Sequence, residues 1–397
     1  MNVGIIFDSI KTGGGGYNQS LKTLRLINEI ENKEFNFIVF TSDKIVQENL
    51  KSENIESIFF SETRSQKIFR ILLSQYFPSK IKNKFENFFK KLLKKNEIDL
   101  VFFLGPSKYI DLIEDVNFIV NIWDINHKID NYFPEFISHK NFLFREKIIK
   151  KTTDLSFRII VDSLRTKNEI IKFYNCISEK IITMPFHSTF PGIYEFSKSE
   201  NYSEIFNTLK IKKTKYLFFY PAQFWAHKNH IYLLEALSLF KKEFKDFSVI
   251  FTGSDKGNLD KIKKQIKNLS LDENVKILNF LDDKEIISLY LHSKAIIIPT
   301  YVARTTLPLI EALYFKLPIF YSKDILDESY KDYINEFDLN NSQDLCNQLK
   351  KFINNDESFY LKAKKGREFY ETISSNEKNK NIILKIFQDY SYLKSKW

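Results

Sequence analysis

The chain has 397 residues, a formal net charge of +10 and two cysteines, Cys176 and Cys346. That length favours two domains over a single core. Two cysteines without metal-ligand spacing exclude a disulfide framework and point to a reducing compartment. The positive balance favours an anionic partner, whether nucleic acid, a membrane surface or a phosphorylated substrate, without choosing among them. Asp8 and Lys11 interrupt the opening apolar strand, so no secretory signal pattern is expected. No apolar run approaches the roughly 20 residues that cross a bilayer, and a soluble cytosolic protein is expected.

In chain order, strands are expected at Asn2–Asp8, Phe35–Thr41, Leu100–Leu104, Phe118–Ile122, Arg158–Asp162 and Lys180–Met184. After the first comes "DSIKTGGGGYNQSLKTL", with Gly13–Gly16 ahead of a helix over Gln19–Ile30. Residues without side chains let backbone amides approach a phosphate, and the helix dipole adds to the attraction. The run has neither GxGxxG spacing nor the GK[ST] of a P-loop, so a plain turn is an equal reading.

"SKIKNKFENFFKKLLKKNEID", Ser79 to Asp99, sets Phe85, Phe88, Phe89, Leu92 and Leu93 near one helical face among lysines. That stripe suits either an anionic membrane surface or the protein core. In "NIWDINHKIDNYFPEF", His127 follows a strand end, where a histidine suits proton transfer, although a packing histidine is the commoner case.

A polar, strandless stretch from about Phe190 to Lys213 reads as a linker. Strands then recur at Tyr216–Tyr220, Ser248–Thr252, Lys276–Leu278 and Ala295–Pro299, with helices at His230–Glu243, Asp260–Asn268, Asp283–His292 and Pro308–Phe315. Lys228, in "YPAQFWAHKNH", sits between strand and helix, either solvated or placed to neutralise a leaving diphosphate. In "FTGSD" a glycine again allows close approach at a strand end.

"PTYVARTTLPLIEALYFKLPIF" carries the most particular signal. Pro308 suits a first helical turn, and unpaired amides from about Thr305 to Leu309 make the helix mouth an anion site. Glu311 lies one turn in, able to accept from ligand hydroxyls or merely to complement the dipole. Two late helices, Leu361–Glu371 and Lys380–Leu393, have no strand between them and are expected to cross back onto the first domain. Strand and helix alternate throughout, which argues for parallel sheets.

Taken in order, these pieces resemble glycosyltransferase family 4. They are "YPAQFWAHKNH", a helix with Leu234-Glu235-Ala236-Leu237, "FTGS", "VKILNFLDDKEIISLYLHSKAIIIPT" and "LPLIEAL", with a looser match in the glycine loop, "WDINH…FPEF" and "IIVDS". The resemblance implies an α/β protein of the GT-B fold, two Rossmann-like doubly wound parallel-sheet domains facing a central cleft. It places residues 1–190 in an acceptor-side domain joined by helices at about 375–397, a linker at 191–213, and a nucleotide-sugar domain at 214–374.

The implied activity is retaining transfer of a sugar from a nucleotide sugar to a glycan or lipid-linked acceptor, in surface polysaccharide or glycoconjugate synthesis, with no metal or other cofactor. In that scheme Glu311 accepts from the ribose, and Arg304, Thr305, Thr306 and Leu307 hold the diphosphate with Gly14, Gly15 and Gln223. Lys228 stabilises the leaving phosphate, and His127 faces the transferred sugar or the acceptor. An anionic membrane at the inner face is an implied partner, and nucleic acid is not.

Three positions depart from the family pattern. Ala303 stands where a second acid is usual, Gln223 where an arginine is usual, with Arg304 as a substitute cation, and Trp123 where a histidine precedes the Asp. These departures favour the rival reading, a noncatalytic GT-B-like protein that binds a sugar nucleotide or a partner enzyme. A sugar-nucleotide epimerase is a lesser alternative. A nucleic-acid binder has only charge and aromatic content behind it.

Overall fold

A computed structural model describes residues 1–9, 14–76, 87–113, 115–186, 202–302, 307–325, 327–373 and 375–397. The chain divides into two compact units. The first comprises Met1–Ile129, Ile137–Pro185 and Asn376–Trp397, and the second Asp130–Phe136 and Phe186–Ser375.

The first unit is built on a seven-stranded sheet. Its strands are β1 (Asn2–Ile6), β2 (Asn36–Thr41), β3 (Ser57–Phe59), β4 (Leu100–Phe103), β5 (Asn117–Asn121), β6 (Arg158–Val161) and β7 (Ile181–Thr183). The order is β3-β2-β1-β4-β5-β6-β7, with every pairing parallel. Strand periodicity divides the core between the two faces. Ile6, Val101, Phe103, Val120, Ile159 and Val161 pack on one side. Val3, Ile5, Phe7, Leu100, Phe102, Ile119 and Ile160 pack on the other.

The stripe read as membrane-facing or core-facing falls in the core as far as it is described. Within the helix Phe88–Lys95, Phe89 and Leu93 are buried and join the first of these clusters, while Phe88 and Leu92 lean on it; Phe85 lies outside the described residues. The last helix, Asn376–Lys394, seals the other face with Ile383, Ile386, Phe387 and Tyr390. The Tyr390 hydroxyl donates to the Asp99 carbonyl at 3.0 Å.

The second unit has six parallel strands: β8 (Tyr216–Pro221), β9 (Phe247–Thr252), β10 (Val275–Leu278), β11 (Ala295–Ile298), β12 (Ile319–Ser322) and β13 (Asn335–Phe337). Their order is β10-β9-β8-β11-β12-β13. The inner strands are buried on both faces, as their unbroken apolar sequences require. Part of the expected linker is ordered structure. Tyr202–Thr208 forms a helix whose Tyr202 carbonyl accepts from buried Ser288 Oγ at 2.7 Å and whose Phe206 stacks on His292, so it belongs to this unit. Polar composition concealed it, because only one face of the short helix meets the core.

Candidate functional site

In an open parallel sheet, ligands bind beyond the carboxyl ends of the strands where the strand order reverses. In the second unit that point lies between β8 and β11. Three loops meet there, and local chemistry shapes each.

The loop after β8 runs from Ala222 to Asn229. Phe224 N–H donates to the Ser254 carbonyl at 3.1 Å, and Ala222 N–H to Thr252 at 3.0 Å, so the loop lies flush against the end of β9. A Cβ on Gly253 would stand 2.5 Å from the Ala222 carbonyl oxygen; only glycine permits that approach. Ala226–Lys228 then makes one 3-10 turn, and Asn229, left-handed at φ 54°, caps the helix His230–Lys241. Tyr220 hydroxyl holds the Lys228 carbonyl at 2.9 Å, while Thr300 Oγ1 and Tyr301 N–H reach the His227 carbonyl at 3.2 and 2.9 Å. These bonds tie the β8 and β11 loops together. Lys228 is half-buried in this frame, and Gln223, also half-buried, accepts from Trp225 Nε1 at 2.9 Å.

The segment Asp130–Phe136 packs on the same loop. Glu135 accepts from His227 N–H at 3.0 Å and also pairs with its Nδ1, with Phe136 stacked on the His227 ring. Burial pushes the Glu135 carboxyl up, but its bonds to His227 outweigh this and hold it below the usual range.

The helix following β11, Leu307–Tyr314, carries Glu311. Glu311 is 6% exposed and accepts from the Tyr290 hydroxyl at 2.6 Å. Burial raises its carboxyl from an ordinary 4.5 to about 7 against the opposing effect of that bond. Tyr290 is itself positioned by a capping box. Asp282 accepts from Glu285 N–H and Glu285 from Asp282 N–H, both at 2.9 Å, starting the helix Asp283–His292. Gly366, on the helix Glu357–Ile373, lets that helix close on Leu313, with a Cβ there falling 2.6 Å from Leu313 Cδ2. Leu307 is buried at the helix mouth; Ala303, Arg304, Thr305 and Thr306 lie outside the described residues.

The first unit has its own reversal point, between β1 and β4. Gly14, at φ 66°, precedes the helix Gly15–Asn28, with Gly15 exposed; Gly13 lies outside the described residues. At the same reversal point, in the segments that follow β1 and β4, is a pair that the sequence alone did not indicate. Asp8 accepts from Ser107 Oγ at 2.6 Å, and burial raises its carboxyl to about 6 despite that bond. The signal for Asp8 was present, an acid at the carboxyl end of a buried strand.

His127 is packed among side chains of the first unit. Its ring is 1% exposed inside the first unit, edge-on to Phe142, with Nε2 3.3 Å from both the Tyr174 hydroxyl and Glu146 Oε2. Burial and the nearby Arg145 charge lower it from 6.5 to about 4, against the pull of Asp124 and Glu146. The ring is thus packed within the first unit, where burial favours its neutral form. The residues beside it in the sequence are the accessible ones. Trp123 and Asp124 line a pocket of about 280 Å³, and Asp124 is bonded to Arg145 at 2.6 Å.

Residues 201–370 match the model of the family Glycosyl transferases group 1. No curated protein matches the chain in sequence. Among solved structures, Anabaena Alr3699/HepE in complex with UDP-glucose superposes with a TM-score of 0.72 at 13% identity, covering 100% of both chains. A glycosyltransferase from Rickettsia africae gives 0.70 at 14% identity over 98% of each chain. WaaG, a glycosyltransferase involved in lipopolysaccharide biosynthesis, gives 0.68 at 15%, covering 96% of this chain and 99% of its own. At such identities these likenesses establish the fold, two Rossmann-like parallel-sheet domains of the GT-B type.

Proposed function

We propose that the chain is a glycosyltransferase, on the match of residues 201–370 to the family Glycosyl transferases group 1, and that it moves a sugar from a nucleotide-sugar donor to a glycan or lipid-linked acceptor with retention of anomeric configuration. The observation that carries the reading is the β8–β11 reversal point. There a lysine loop and the mouth of a helix bearing a buried carboxylate are brought together by hydrogen bonds through His227 and Thr300. A diphosphate suits helix amides and a cation, and hydroxyls of a ribose suit a carboxylate.

In this scheme Glu311 accepts from the ribose, while Leu307 with Thr305, Thr306 and Arg304 receives the diphosphate. Lys228 stabilises the leaving phosphate, and Gln223 flanks it. Gly14 and Gly15 would offer backbone amides to a phosphate at the first unit's own reversal point, and no metal takes part. HepE is complexed with UDP and with UDP-glucose, so UDP-glucose is the first donor to try and UDP the first product-side ligand. Surface polysaccharide or lipopolysaccharide-type assembly is the pathway class we favour. Among the described residues no helix is long and apolar enough to cross a membrane.

Calorimetry with UDP, GDP and ADP tests donor binding, and diphosphate release in the presence of acceptor tests transfer. Lys228→Ala should lower turnover more than it weakens the sugar nucleotide, because leaving-group charge grows towards the transition state. Wild-type turnover in that variant would remove Lys228 from the mechanism. Ala303, Gln223 and Trp123 favour one competing reading, a noncatalytic sugar-nucleotide binder. Tight donor binding without transfer to any acceptor would establish it.

A further inference from the structure

The pocket beside Trp123 has a composition that the donor scheme does not use. It lies wholly within the first unit and is walled by Pro106, Phe144, Ile148 and Ile149, with Trp123, Asp124 and Arg145 completing it. It adjoins the β1–β4 reversal point, since Cβ atoms on Gly16 and Gly105 would each stand 3.8 Å from the Trp123 indole. Its volume of about 280 Å³ falls just short of the roughly 300–1,000 Å³ that hold drug-sized ligands, so the space suits one ring rather than a nucleotide. The Asp124 and Arg145 side chains remain 36% and 30% exposed, so both can meet a ligand as well as each other.

We propose that this pocket is an acceptor subsite that takes one neutral sugar ring, its C–H face on the Trp123 indole and its hydroxyls on the Asp124–Arg145 pair. The proposal rests on the glycosyl-transfer reading and adds the acceptor's chemical class. An aromatic wall alone would suit a lipid chain equally well, but an ion pair within it does not, because an alkyl chain would desolvate two charges without bonding either. The pair also argues for neutrality. Asp124 Oδ1 is matched by Arg145 Nη2 at 2.6 Å and by Asn126 N–H at 2.9 Å, so the guanidinium charge is offset and a uronate or phosphate would meet a carboxylate beside it. Hydroxyls can both donate to the carboxylate and accept from the guanidinium.

Saturation-transfer NMR on the full chain tests this, with methyl glycosides of glucose, galactose, mannose and N-acetylglucosamine as probes and methyl glucuronide and an octyl glycoside as contrasts. At least one neutral glycoside should bind through its ring protons. Trp123→Ala should weaken it by about tenfold or more, the equivalent of one lost aromatic stack. Arg145→Gln, at a partly exposed position, should weaken it as well and decides the matter if the tryptophan variant melts early. Absence of binding by every neutral glycoside overturns the proposal. So does binding untouched by both substitutions, tighter binding of the glucuronide, or saturation confined to the octyl chain. UDP titration of the same samples separates the two readings: UDP bound without any glycoside sinks only the subsite, whereas glycosides bound without any nucleoside diphosphate sinks the donor reading.

Discussion

Glu311 holds a carboxyl where an isolated protein would gain by having none. Its folded-state value of about 7 lies above the ordinary 4.5, so the folded chain binds this proton more tightly than the unfolded one. The associated stability is fully present below about 4.5, declines as pH rises through the window up to 7, and stays low beyond it. The whole span is worth about 3 kcal/mol. Glu311→Gln keeps an acceptor for the Tyr290 hydroxyl and cannot ionise. Its stability relative to wild type should therefore rise between pH 5 and pH 8, read by urea denaturation at both, while its affinity for a nucleoside diphosphate falls. A variant that gains stability and loses ligand identifies a residue kept for binding. Parallel stability curves would show that the carboxyl is not buried as described. His127 makes the opposite case. Its lowered value means that wild-type stability is present above 6.5 and is lost as pH falls towards 4. His127→Ala should cost about 2–4 kcal/mol through the cavity it leaves among Phe142 and Tyr174. It should also lack that acid decline and preserve turnover per folded molecule. A large loss of turnover in fully folded variant would return His127 to the reacting groups.

The loop from Ala222 to Asn229 shows how little freedom surrounds Lys228. Gly253→Ala would drive a methyl into the Ala222 carbonyl and the Gln223 backbone, so the loop must move as a body. A cost of about 1–3 kcal/mol is expected, with weaker nucleoside diphosphate binding as the Lys228 turn shifts. Gly257→Ala meets nothing within 4 Å but sits at φ 95°, so as a control it should cost stability through local backbone strain alone and leave affinity unchanged. Equal affinity in both variants would uncouple the loop from the ligand. This loop was legible because its ingredients are local: a buried apolar strand, a glycine at the neighbouring strand end, and an Asn able to take a left-handed turn before a helix. The same holds for all ten strands read from apolar runs. Three others escaped. Ser57–Phe59 and Asn335–Phe337 are three-residue strands at the sheet edges, too short to show a pattern, and Ile319–Ser322 is a four-residue strand that starts directly after Pro318. The site's polar pairs were illegible for a different reason. Tyr290 meets Glu311 across 21 residues and Asp8 meets Ser107 across 99, so only the sheet order brings them together.

The two units repeat one design without sharing a sequence motif: a parallel sheet that reverses its order beside its first strand, with a glycine turn and a helix start at the reversal in one, and a lysine turn and a glutamate helix in the other. That division of labour bears on stereochemistry. A double displacement needs a carboxylate nucleophile on the far face of the sugar, and position 303, where an acid would be the obvious candidate in the second unit, is Ala303. Transfer on a single face needs none. The bond from the anomeric carbon to the diphosphate oxygen breaks, the acceptor oxygen bonds to that carbon on the same side, and the acceptor's proton passes to the departing oxygen. On the proposed scheme the charge that develops on the diphosphate would be met by Lys228, in the loop after β8, and by amides at the start of the helix Leu307–Tyr314. Two outcomes are expected together. Proton NMR of the first-formed glycoside should show the donor's anomeric configuration, and the initial rate should survive a chelator, since on this scheme a lysine and backbone amides would supply the charge that a metal would otherwise bring. An inverted centre would refute single-face transfer, and a rate abolished by chelation and restored by a divalent cation would show that Lys228 and the amides are insufficient for the leaving group.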